Sequence, residues 1–175
     1  MSDVFSEFLD YKFTVSFKND DSEASKEYTL SELEAMEDII IRDTYTVLDI
    51  GECEGIDLWK LIKKASGDKL DLSNPISITA YAEDGYKNDL LSNCFLKGFV
   101  DGIESESGDV KRIILAYAIK GFPIVDTENH EGYTGIAGNC DGPIRVIVEG
   151  FQGGSLKMCN KVVVTLPGSG AINLN

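Results

Sequence analysis

Four cysteines and one histidine are the residues with the widest chemical reach in this chain of 175. Cys53, Cys94, Cys140 and Cys159 are separated by 40, 45 and 18 residues, with no CxxC pair and no histidine at ligand spacing, so a zinc site is not expected. A chain of this length can stabilise itself by burial alone, and the simplest reading is free, mostly buried thiols. One disulfide in an exported protein and one thiolate serving as a metal ligand are the alternatives. His130 lies in the polar, glycine-flanked stretch TENHEGYTG. Any Ser/His/Asp or Cys/His hydrolase built from this chain has to use it. GFQGG at 150–154 is followed by no Lys-Ser/Thr and does not match GxGxxG, so it reads as a hairpin turn and not as a phosphate loop. NDDSE and ESESGD lack the spacing of a calcium loop and read as solvated surface.

Composition narrows the field further. The length suits one domain, 1–175, and 43% hydrophobic with 26% charged residues is a globular balance. Thirty acidic against sixteen basic residues give a net charge of -14, which repels phosphate backbones and anionic lipid. Nucleic acid is therefore excluded as an expected partner. Lys60, Lys63 and Lys64 sit near Asp57, Asp68 and Asp71, whose charges should neutralise much of their field. No apolar run approaches the ~20 residues of a membrane helix, and the first residues show no cationic segment leading into a hydrophobic one. The chain reads as soluble, and export stays open because a removed signal leaves no trace.

The elements that must position these residues follow from periodicity. YKFTVSF at 11–17 alternates as a strand does, and KNDDSEASKE after it reads as a solvated turn. YTLSELEAMEDI predicts a helix of about two turns capped by Ser31, with Leu33 and Met36 on its apolar side. Residues 39–50 are β-branched enough for a strand or a strand pair. From Gly55, the spacing of Leu58, Leu61, Ile62 and Ala65 (i, i+3, i+4, i+7) predicts an amphipathic helix over 55–65 that packs on a sheet, with Leu58 and Ile62 most buried. Residues 75–82 read as a strand, 83–86 as a turn, and 113–119, 143–150 and 156–167 as further strands, with a glycine-rich stretch at 132–142. About seven strands with two or three short helices give an α+β fold with a mixed, largely antiparallel sheet or barrel. The crossovers in the second half are too short for a doubly wound sheet.

In that order, YTLSELEAM, GIDLWKLIKKA, ITAYAEDGY, LAYAIKGFPI, GPIRVIVEG and KMCNKVVV resemble the molybdopterin-binding domain of the sulfite oxidase family, over about residues 12–166. The resemblance implies a sulfite-oxidase-like fold that cradles a pyranopterin, with one cysteine thiolate on molybdenum. Cys53 is the only cysteine in the corresponding loop, two residues before Gly55. Its other reading is a buried thiol covering the helix start. Arg145 is the best candidate donor to an anion, against an exposed strand residue paired with a carboxylate. Asp84 and Tyr86 fall at the family's cofactor edge, where the turn at 83–86 and the stretch 132–142 should approach each other and frame a shallow cleft near Cys53. Tyr81, Tyr86 and Tyr133 would line it, or else sit half-buried on a sheet. A pterin phosphate needs several converging cations, yet the chain has three arginines, Arg42, Arg112 and Arg145, and Cys53 is flanked by Glu52 and Glu54. The expected function is a binding or interaction module that has lost the metal site, with no cofactor and with a protein or small molecule as partner. The alternative is a molybdenum-cofactor-dependent oxidoreductase in which Cys53 ligates the metal.

Overall fold

In KFTVSFK the odd positions face one way, and the computed structural model forms there the first strand, β1 (Lys12–Lys18), with Phe13, Val15 and Phe17 fully buried. The structure describes residues 10–45, 51–93, 96–99, 103–105, 110–119, 122–123, 143–148 and 151–175. After β1 come β2 (Glu23–Thr29), helix α1 (Leu30–Glu34), a single 3-10 turn (Glu37–Ile39), β3 (Ile40–Tyr45), β4 (Gly51–Asp57) and helix α2 (Leu58–Ser66). Then follow β5 (Ser77–Ala82), β6 (Lys87–Asp89), helix α3 (Leu90–Asn93), β7 (Leu96–Phe99), β8 (Ile103–Ser105) and β9 (Val110–Lys111). The chain continues with β10 (Ile113–Ile119), β11 (Phe122–Pro123), β12 (Arg145–Val148), β13 (Phe151–Leu156) and β14 (Cys159–Thr165).

Two larger sheets and a small one result. The first runs β2-β1-β14-β5-β6, the second β13-β12-β10-β4-β3 with β11 beside β10, and the third β7-β8-β9. Among the described strands only β1 and β14 pair in parallel, so the fold is α+β with mixed, mostly antiparallel sheets. The barrel alternative is corrected, because neither larger sheet closes on itself. Apolar side chains from β1, β5 and β14 on one sheet and from β4, β10 and β12 on the other join those of α1 and α2 in one core cluster. Burial is thus achieved by stacking layers and not by curling one sheet.

Helix α2 keeps the predicted apolar face: Leu58, Leu61 and Ile62 are fully buried. Its start is corrected, since Gly55 to Asp57 belong to β4 and the helix begins at Leu58. Asp57 is extended and its carboxylate accepts from the Lys60 backbone N–H at 3.2 Å, which caps the first turn; Gly67, at φ 61°, ends the helix in the left-handed conformation. Helix α1 is likewise shorter than predicted and starts one residue before Ser31. Thr29 caps it: Thr29 Oγ1 accepts from the Glu32 N–H and Glu32 Oε1 accepts from the Thr29 N–H, each at 3.1 Å. The reciprocal pair in TLSE outcompetes the single bond that Ser31 could offer.

Two further expectations change. GFQGG is not a hairpin turn from Phe151 onward, because Phe151–Leu156 is strand β13, pairing Phe151 with Val148 and Leu156 with Val146. Partners on β12 hold the two ends of β13, and the ladder is irregular between them. In KNDDSEASKE only Asn19 to Ser22 turn; Glu23 already belongs to β2. That turn also clasps the segment after β14: the Gly170 N–H donates to Asp21 Oδ2 at 3.0 Å, the Ile172 N–H donates to Ser22 Oγ at 2.9 Å, and Asn19 Nδ2 donates to the Gly170 carbonyl at 3.0 Å.

Candidate functional site

Cys53 lies within β4, not in a loop, paired with Asp43 on one side and Ile119 on the other, and is 5% exposed. Arg145 pairs with Ala116 on β10, and Ala116 pairs in turn with Gly55 on β4. Because alternate residues share a face, Arg145, Ala116, Gly55 and Cys53 lie on the same side of one sheet. Arg145 is 8% exposed, which corrects its alternative reading as an exposed strand residue. Asp84 and Tyr86 are in the other sheet, in the tight turn between β5 and β6. There Asp84 Oδ1 accepts from the Tyr86 N–H at 3.0 Å, the Gly85 N–H donates to the Ala82 carbonyl at 3.0 Å, and Gly85 takes φ 90°.

The Glu83 N–H donates to the Met158 carbonyl at 3.0 Å, so this turn abuts the passage from β13 to β14. A shallow cleft of about 300 Å³ forms between them, lined by Ala82, Asp84, Tyr86, Leu156, Lys157 and Met158. Neither Cys53 nor Arg145 lines it. The structure therefore groups the four candidates two by two. Tyr81 is half-buried on β5. The stretch 132–142, with Tyr133 and Cys140, and also Cys94 and His130, lie outside the described residues.

A cluster that spacing alone does not reveal surrounds Glu54. The β3–β4 register sets Arg42 opposite Glu54. Arg42 Nε donates to Glu54 Oε1 at 2.6 Å, and the Tyr117 hydroxyl donates to Glu54 Oε2 at 2.5 Å. Arg42 also reaches Glu37 at 3.6 Å. Burial, then the bond to Glu54, pushes the Tyr117 phenol far above its usual range, so it stays a neutral donor. Burial, reinforced by the Glu54 charge, raises the Glu34 carboxyl. Elsewhere, burial pushes the Cys159 thiol up to about 12, which keeps it protonated and unreactive at neutral pH.

A metal-bound anionic pterin calls for an accessible thiolate and unengaged cations. The Cys53 thiol is buried in a two-sided ladder, and Arg42, on the other face of that sheet with Glu54, is committed to two carboxylates. These residues do not fit such a group. Among the described residues no cluster of three or more His, Cys, Asp or Glu side chains is arranged to hold a metal.

The raised Glu34 carboxyl has a measurable consequence. The folded state holds this proton more tightly than the unfolded chain, so stability falls as pH rises from the ordinary carboxylate value through the raised one. Glu34→Gln is expected to stabilise the protein at pH 7, by roughly 0.5 kcal/mol for a partly exposed like-charge neighbour. The gain should shrink as pH falls below the ordinary carboxylate value and vanish near pH ~3, where the carboxyl is protonated in both states. Urea denaturation of both proteins at the two pH values checks this, and an equal difference at both would exclude the charge as its cause.

No family model matches the chain, and no curated protein matches it.

Proposed function

We propose that this chain is a molybdopterin-binding-domain-like module, with a sulfite-oxidase-like fold, that has lost the metal site and acts by binding. The ordered motifs over residues 12–166 support the family reading, and the α+β architecture with mixed sheets is compatible with it. The observation that carries this reading of the metal site is the setting of Cys53: 5% exposed and hemmed in by β3 and β10. A thiol buried in this way is closed to an incoming metal ion. The partner is a protein or a small molecule, and the exposed turn carrying Asp84 and Tyr86 is the surface offered to it.

Metal analysis of protein expressed in a host that makes the molybdenum cofactor tests this. The expected result is molybdenum far below one per chain, with Cys53→Ser folding and behaving like the parent. Stoichiometric molybdenum in the parent that disappears in Cys53→Ser would establish the opposite, a molybdenum-dependent oxidoreductase with Cys53 as ligand.

A further inference from the structure

Two exposed surfaces of opposite charge, one on α2 and one at the β5–β6 turn, complement each other. Lys60, Lys63 and Lys64 occupy i, i+3 and i+4 on the outer side of α2, and all three are exposed. Lys64 pairs with Asp38 at 3.4 Å. Among the described residues, Lys60 and Lys63 have no carboxylate partner, so Asp57, Asp68 and Asp71 do not neutralise them by direct pairing. Lys63 borders a cleft of about 330 Å³ lined by Trp59, Leu70, Leu72 and Asp68, and all three lysines border a second of about 430 Å³ that also holds Ile39, Asp38 and Asp68.

The β5–β6 turn presents the converse set. Glu83 and Asp84 are exposed, and their side chains form no ion pair among the described residues. Tyr86 stands 65% exposed beside them; among the described residues only Ile76 is a comparably exposed large hydrophobic. We propose that the turn of one copy docks on the outer face of α2 of a second copy, with Glu83 and Asp84 against Lys60 and Lys63 and the Tyr86 ring in the cleft beside Trp59. An aromatic anchor ringed by charged contacts is the usual build of a small protein interface. Two chains at -14 repel at long range, but beyond a Debye length of ~8 Å that repulsion is screened, and at contact the local charges decide. The two patches differ, so the contact is head-to-tail and repeats from copy to copy. Neither surface contains Cys53 or Arg145, so this contact stands or falls independently of the metal-site reading.

Sedimentation velocity on a concentration series in physiological salt tests it. The wild type is expected to associate, while Lys60→Glu/Lys63→Glu alone and Glu83→Lys/Asp84→Lys alone remain monomeric. Mixing the two variants should restore association, because each supplies one intact surface. Tyr86→Ala should weaken self-association, and Lys26→Glu on β2 should leave it unchanged. Carbodiimide treatment of mixed isotope-labelled and unlabelled protein should join Lys60 or Lys63 to Glu83 or Asp84 across copies. A wild type that stays monomeric at every concentration, association that survives both charge reversals, or a mixture that stays monomeric would overturn the proposal. If the wild type is monomeric yet captures an acidic polypeptide through α2, the surface belongs to another partner and the self-contact is refuted.

Discussion

Gly55→Ala is expected to fold poorly or not at all, with a loss of roughly 3 kcal/mol or more. A Cβ at position 55 would stand 2.2 Å from the Leu115 carbonyl oxygen and 2.7 Å from both the Ala116 Cα and the Leu115 carbonyl carbon. All three atoms are backbone of β10, so no side chain can swing aside. The β4–β10 ladder has to open, and with it the row that joins Arg145, Ala116 and Gly55. Chemical denaturation, with circular dichroism to establish whether a folded state exists, measures the effect. A loss under about 1 kcal/mol would show that the two strands can part without cost.

Leu58→Ala is expected to cost about 2–5 kcal/mol, the range for deleting a leucine side chain from a packed core. Leu58 is fully buried in the cluster that joins both larger sheets, so the resulting cavity has no route to solvent. A domain of ordinary stability holds only about 5–15 kcal/mol, so this one truncation can remove a large share of it. Urea midpoints compared at equal slope give the answer. A change below half a kcal/mol would mean that α2 does not face the core.

The local signals were legible in the sequence and the cross-strand ones were not. The α2 face follows from the spacing of Leu58, Leu61 and Ile62, and β1 from the alternation of Phe13, Val15 and Phe17, because each pattern lies within one element. The turn at 83–86 was readable from Asp84-Gly85, since few residues besides glycine accept φ 90°. Gly55 looked like the start of a helix because nothing nearby in the chain announces that β10 presses against it. Cys53 was placed in a loop for the same reason: GECEGID carries little β-branching, and only pairing with β3 and β10 makes it a strand. The Arg42, Glu54 and Tyr117 cluster joins three strands, and no spacing along the chain brings those residues together. Thr29 was a different kind of miss, since the capping pattern in TLSE was present and Ser31 was chosen over it.

The parallel pairing of β1 with β14 governs how the chain can acquire its structure during synthesis. Val15 meets Val162 and Phe17 meets Val164, contacts that span nearly the whole chain, whereas β1 and β2 form a local hairpin. As the polypeptide emerges from a ribosome, that hairpin can assemble early, but one side of β1 must wait for β14, which also has to meet β5. Contacts of such long sequence separation slow folding toward the millisecond-to-second range. Throughout that interval a strand edge bearing Phe13, Val15 and Phe17 lies open to other nascent chains, so a substitution that delays β14 would reduce the yield of folded protein even if the finished fold tolerates it.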